Sequence, residues 1–273
     1  MTTVPYYDSA ARGAPFVREF RELLRYRDLL RLLVANSIKT RYKRSVLGVV
    51  WTLLNPLLTM AVLTIVFSSL FRFSLTNYPV YLLSGLLLWG FFAQTTTAAM
   101  HSLVWGGGLL KRVYIPRTIF SVSAIATGLV NLLLALGPLA LIMLILGHPF
   151  RLALLFLPVG VLLTAMFALG VGLILSALAV LFVDVVDMYQ VLLTAGLYLT
   201  PVIYPEEILP APYAWTVNLN PMHHLIELFR APIYLGALPG PNTILAAVAS
   251  AVLSLLIGWW VFTRKADELA YRI

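Results

Sequence analysis

The sequence contains no cysteine. Disulfide frameworks, thiolate metal sites and cysteine nucleophiles are thereby excluded. Charge is nearly as scarce: Asp, Glu, Lys and Arg make up 11% of the 273 residues, against about 25% in soluble domains. So little charge cannot clothe a water-facing surface, and the 61% of hydrophobic residues point to lipid as the solvent. A phosphate-binding loop is also missing. The nearest stretch, Gly106-Gly107-Gly108-Leu109-Leu110-Lys111-Arg112, fails the required spacing of Gly, four residues, then Gly-Lys-Ser/Thr. Ionisable groups inside membrane spans mark ion pathways, and here they reduce to His101, near the end of one apolar run, and Asp184 and Asp187 at a boundary. A proton- or sodium-coupled carrier needs more than that, so energy is expected to arrive from outside the chain.

What is present is apolar sequence in long runs. Six stretches read as crossings: 45–71, 80–104, 118–146, 152–183, 188–204 and 243–263. A helix needs about 20 apolar residues to cross a bilayer. Barrel strands would instead alternate over about ten residues. The expected fold is therefore all-α, a polytopic bundle of six transmembrane helices over residues 45–263. It is preceded by a cytoplasmic region (1–44) and followed by a cytoplasmic tail (264–273). Within 16–40, apolar residues such as Phe20, Leu23, Leu30 and Leu33 alternate with Arg and Glu, which predicts an amphipathic interfacial helix. That helix serves as a lipid anchor or as a docking surface. The basic start runs on to Arg44 with no cleavage signal, so removal of a leader is not expected. Residues 205–242 are rich in Pro, and within them 225–233 is apolar enough for a short external re-entrant helix.

The positive charges orient the bundle. Ten basic residues precede Ser45, three (Lys111, Arg112, Arg117) occupy the second loop and three (Arg264, Lys265, Arg272) the tail. Only Arg72, Arg151 and Arg230 remain for the opposite side. Lys and Arg stay on the cytoplasmic side, so both termini are placed inside. The net charge of +8 is thus a topology signal, and no nucleic-acid partner is expected.

Several smaller features carry possible chemistry. Asn55-Pro56 lies inside the first span, where Pro removes a backbone donor. Tyr78, Tyr81, Trp89 and Phe92 recur near helical spacing along the second, with Gly85 and Thr96 on a similar face. Such rings either stack on sugars or pack in the bundle. His223, His224 and Glu227 invite a metal reading, but adjacent residues do not share a helix face, so no metal site is assigned. No catalytic residue and no cofactor site are expected either.

Taken together, these pieces resemble the membrane subunits of the ABC-2 exporters of polysaccharide and polyol phosphate, the O-antigen and teichoic acid permeases. The resemblance rests on Arg41-Tyr42-Lys43-Arg44-Ser45-Val46-Leu47-Gly48 through Trp51, and on Leu54-Asn55-Pro56. It continues at Lys111-Arg112-Val113-Tyr114-Ile115-Pro116-Arg117, Pro201-Val202-Ile203-Tyr204, and Asn220-Pro221 with Glu227 to Arg230. It implies a permease in the bacterial inner membrane, built from two copies of the chain, with ATP and magnesium on two separate ATPase subunits. The implied cargo is a glycan on a polyprenyl diphosphate. Lys111, Arg112, Val113, Tyr114, Ile115, Pro116 and Arg117 would form the gate and coupling element. Arg41, Lys43 and Arg44, at headgroup depth, are candidates to meet the diphosphate. Tyr81, Trp89 and Phe92 are the candidate channel aromatics. One departure is visible: where relatives often carry Arg-Asp after the fourth span, this chain has Val183-Asp184, so no role passes to Asp184. The competing expectations are another ABC-2 cargo, such as a drug or small lipid, and an ion-coupled lipid flippase.

Overall fold

The computed structural model describes residues 15–43, 49–69, 77–105, 115–208, 210 and 214–272. Among them every regular element is helical. The long ones are α1 (Pro15–Arg25), α2 (Arg27–Tyr42), α3 (Val49–Ser69), α4 (Tyr78–Trp105), α5 (Thr118–Ile145), α6 (Leu157–Leu181), α7 (Val185–Leu199), α9 (Pro221–Arg230) and α10 (Pro241–Arg272). A short α8 (Ala214–Asn218) precedes α9. Single turns of tighter helix cover Leu152–Phe156 and Glu206–Ile208, and a wide π turn covers Ala231–Leu235. Among the described residues, four helices are long and apolar enough to cross a membrane: Tyr78–Leu103, Thr118–Ile145, Leu152–Leu181 and Pro241–Lys265. Leu53–Phe67 and Val185–Leu199 are shorter apolar helices.

α4 is the hub. It touches α3, α5, α6, α7 and α9, and two thirds of its most apolar stretch is buried. This explains why Leu82, Leu83 and Leu88 are wholly buried on a helix with no obvious apolar stripe. Its first turns, its middle and its last turns each have a different neighbour. α6 and α10 form the closest pair. A side chain at Gly258 would strike the backbone of Gly170, and one at Gly170 would strike that of Ser254. Small residues let helix backbones approach when no hydrophobic force separates protein from lipid.

Sequence expectation and structure differ at four places. The amphipathic region is two helices, broken at Tyr26 (φ −93°, ψ 22°), where α1 reaches α10 as well as α5 and α2 lies along α5. α3 runs straight through Pro56. The fifth apolar stretch is helical only to Leu199; Thr200 turns extended, and 200–205 leaves the helix. The last helix passes without interruption through the tail and ends at Arg272.

Candidate functional site

Polar chemistry gathers at three depths. At one end of the bundle it centres on Arg230, in the last turn of α9 and only 4% exposed. Asn220 starts α9: its side-chain oxygen accepts from the Met222 amide at 3.0 Å, and Pro221 holds the first helical position. Both are favoured there, the first because it satisfies an orphan N–H and the second because it has none. The Asn220 amide also donates to Thr200 Oγ1 at 2.8 Å, fixing α9 beside the chain leaving α7.

Arg230 then reaches across. Its Nη1 donates to the Pro201 carbonyl and its Nη2 to the Val202 carbonyl, each at 2.9 Å. Tyr78 donates to the Ile203 carbonyl at 2.6 Å, and Tyr81 to that of Tyr204 at 3.0 Å. Four consecutive backbone carbonyls of a non-helical segment thus each receive a side-chain donor. Irregular backbone at such depth is tolerated only where it is satisfied by protein or lines a cavity. The guanidinium also lies 3.8 Å from the centre of the Tyr81 ring, an arrangement that stabilises a buried cation by about 2 kcal/mol when desolvated. Gly85 leaves the room this requires, since any Cβ there would collide with Arg230 Nη2.

Ionisable neighbours in α9 feel the burial. It pushes the Glu227 carboxyl up, against the pull of Arg230. His223 is held down at about 4, first by burial and then by the charges of His224 and Arg230. His223 is therefore neutral at neutral pH, and its 3.8 Å approach to Glu206 is not an ion pair there. A second link at this end joins the start of α4 to the loop before α6. His148 Nδ1 accepts from the Asn77 amide at 3.1 Å, and its Nε2 donates to the Ile233 carbonyl at 2.9 Å. Arg151 donates to the Leu235 carbonyl at 2.9 Å.

At mid-depth, Trp89 and Phe92 are nearly buried. Their ring centres lie 5.9 Å apart, Phe92 stacks on Phe167 of α6 at 5.6 Å, and Trp89 fills the space beside Gly196 of α7. Tyr189 and Thr96 are hydrogen-bonded at 2.6 Å, pinning α7 to α4; because Thr96 gives its proton to the Phe92 carbonyl, Tyr189 is the donor. Each of the three rings read as a channel aromatic is thus packed against its own chain: Tyr81 under the guanidinium, Trp89 and Phe92 between helices. On the opposite side of α4 lies a cavity of about 460 Å³, bounded by α2, α3, α4 and α5.

At the opposite end, the apolar side of the N-terminal region finds a protein surface. Leu23, Tyr26, Leu29, Leu30 and Leu33 pack on Ile115, Ile119 and Phe120, while Arg21, Arg25, Arg27, Arg31 and Lys39 stay exposed. Of the expected coupling element, Ile115 and Pro116 are buried and Arg117 half-buried; Lys111, Arg112, Val113 and Tyr114 lie outside the described residues. Lys43 is exposed just past α2, Arg41 belongs to its last turn, and Arg44 lies outside the described residues.

The sequence has known relatives. Residues 28–234 match the membrane-domain model of the ABC-2 type transporter. The chain belongs to the ABC-2 type transporter family. A relative named O-antigen export system permease protein RfbA, from Myxococcus xanthus, is 32% identical over 263 residues, covering 94% of this chain and all of that protein. A Klebsiella pneumoniae protein of the same name is 26% identical over 74% of this chain and 79% of its own length. The polysialic acid transport protein KpsM of Escherichia coli is 24% identical over 87% of this chain and 93% of its own length. On this ABC-2 chain, sequence reasoning had picked out Tyr81, Gly85, Pro201 to Tyr204 and Arg230 separately, and the fold brings them into one knot. It had passed over Tyr78's hydrogen-bonding role, the Asn77–His148 link, and Gln94 and Asn131 in the cavity wall. Those two amides do interrupt otherwise apolar helices, which was the available signal.

Proposed function

We propose that this chain is the permease of an ATP-driven exporter that carries polysaccharide, joined to a polyprenyl diphosphate lipid, across the bacterial inner membrane. Two copies enclose the path and two ATPase subunits dock beneath them. The observation that carries this reading is the end-to-end match to an O-antigen export permease. Both termini are inside, and the chain crosses six times. α3, with 21 residues, reaches about 31 Å at 1.5 Å per residue, enough for the hydrocarbon core. α7, with 15 residues, reaches only about 22 Å, and the extended segment held by Arg230 finishes that crossing on the outer side. The short helices 206–235 form the external closure.

The inner end supports mechanical coupling. Residues 111–117 lead directly into α5, and α2 clamps the start of α5 through Ile119 and Phe120. A push on that loop by an ATPase moves α2 and α5 as one body. The exposed cations of α1 and α2, with Arg41, Lys43 and Arg44, sit where a diphosphate headgroup arrives. Trp89 and Phe92 shape the path by holding α4 against α6 and α7.

The test is reconstitution with an ATP-binding-cassette ATPase subunit that co-purifies with this chain, in liposomes loaded with lipid-linked glycan. Translocation that requires ATP and both subunits is expected. Translocation by this chain alone under an ion gradient sinks the proposal in favour of an ion-coupled flippase.

A further inference from the structure

The cavity beside α4 has an unusual wall for its depth. Gln94 stands within about 5 Å of the middle of the crossing Tyr78–Leu103 at 1.5 Å per residue, and Asn131 stands at the middle of Thr118–Ile145. Both line the cavity, with Thr127 and Ser123 on the same wall of α5 and Thr95 and Ser102 on that of α4. Gln94 is exposed, and among the described residues its amide makes no hydrogen bond. Polar side chains at bilayer depth face a partner or a polar cavity, because hydrocarbon leaves them unsatisfied. The neighbouring hydroxyls are spent differently. Thr95, Ser102, Ser123 and Thr127 give their protons to carbonyls of their own helices at 2.7–2.8 Å, so they offer only oxygen lone pairs to the cavity. The polar part of the wall is therefore rich in acceptors, with the Gln94 amide supplying both a donor and an acceptor, and the rest of the wall is apolar (Leu86, Leu87, Phe91, Leu132).

We propose that this cavity binds an uncharged, hydroxyl-rich segment of the cargo glycan within each copy of the permease, with Gln94 as the recognising group. This rests on the exporter reading and names the substrate class at that site. Sugar hydroxyls donate to lone pairs and pair with an amide; an acyl or prenyl tail does neither and leaves Gln94 unpaired. The cavity's 460 Å³ lies in the range of about 300–1,000 Å³ typical of small-molecule sites. Among the described lining residues His101 is the one ionisable side chain, with no Lys, Arg, Asp or Glu, so a carboxylated or phosphorylated sugar would meet no fixed counter-charge. Gly90 opens onto it: a Cβ there meets only the Gln94 amide, at an ordinary 3.7 Å, so the space can be filled without disturbing the backbone.

The experiment uses the permease–ATPase complex in two formats. In cells lacking their own permease, surface glycan is measured for wild type, Gln94→Leu and Gly90→Val, normalised to complex abundance. In purified complex, saturation-transfer NMR compares a neutral hexose oligosaccharide, a carboxylated oligosaccharide of equal length and a sugar-free polyprenyl phosphate. Both variants are expected to lower export and neutral-oligosaccharide binding roughly five- to tenfold, the loss of about one good hydrogen bond, and the carboxylated probe is expected not to bind. Should Gln94→Leu fail to accumulate, Gly90→Val carries the test. Undiminished export and binding in the variants overturns the inference, as does displacement of the oligosaccharide by sugar-free polyprenyl phosphate. A wild-type complex that exports no glycan overturns the exporter reading instead.

Discussion

The two ends of the bundle hold loose chain in place by opposite means. At one end, Arg230, Tyr78 and Tyr81 fasten an irregular segment by directional hydrogen bonds to four successive carbonyls. At the other end, α2 lies on α5 through Leu29, Leu30 and Leu33 against Ile115, Ile119 and Phe120, with charge facing away. Directional bonds are expensive to leave unmade once buried, whereas apolar surfaces tolerate small slides and changes of shape. The Arg230 end is thus fixed to one geometry, and the α2–α5 end tolerates adjustment.

The largest break in this comparison comes from Arg230→Ala, which strips two buried carbonyls of their donors and empties the face of Tyr81. A loss of about 3 kcal/mol or more is expected, read as a fall in the thermal unfolding midpoint of the purified protein. Acid comes next. His223 is depressed to about 4 in the fold, against about 6.5 in the unfolded chain. The unfolded chain therefore binds the extra proton first. The stability contribution is complete above pH 6.5 and is lost as pH falls toward 4, by roughly 2–3 kcal/mol. Unfolding midpoints across that window should flatten in His223→Gln. Tyr81→Phe removes a single hydroxyl bond to Tyr204 and should cost about 1 kcal/mol by the same assay. At the α2–α5 end Ile119→Met should cost under about 1.5 kcal/mol, since volume and apolarity are kept. Asp28→Ala, which breaks the exposed 3.6 Å pair with Arg31, should change stability by less than about 0.5 kcal/mol.

The crossings were legible because apolar runs announce themselves whatever they pack against. Their ends were less so. The stop at Leu199 has a local signal, because Pro201 pushes Thr200 out of the helical region; what no local signal shows is how the carbonyls that follow are satisfied, since their donors come from α4 and α9. The break at Tyr26 falls where α1 reaches α10 as well as α5 and α2 lies along α5. Arg230 was legible as one of three basic residues apart from the rest, yet its acceptors lie 28 and 29 residues earlier and no periodicity links them. The rings of α4 carry a pattern equally suited to stacking a sugar or filling a core, and only the neighbours Phe167, Gly196 and Arg230 distinguish the two.

The extended stretch after Leu199 has one more consequence. Its carbonyls draw on donors rooted in two different helices, α4 and α9, so neither helix can withdraw without stranding acceptors that the other cannot cover. Withdrawal of α9 would leave the Pro201 and Val202 carbonyls without Arg230, and withdrawal of α4 would leave those of Ile203 and Tyr204 without their tyrosines. The two helices and the segment between them are therefore fastened as one unit.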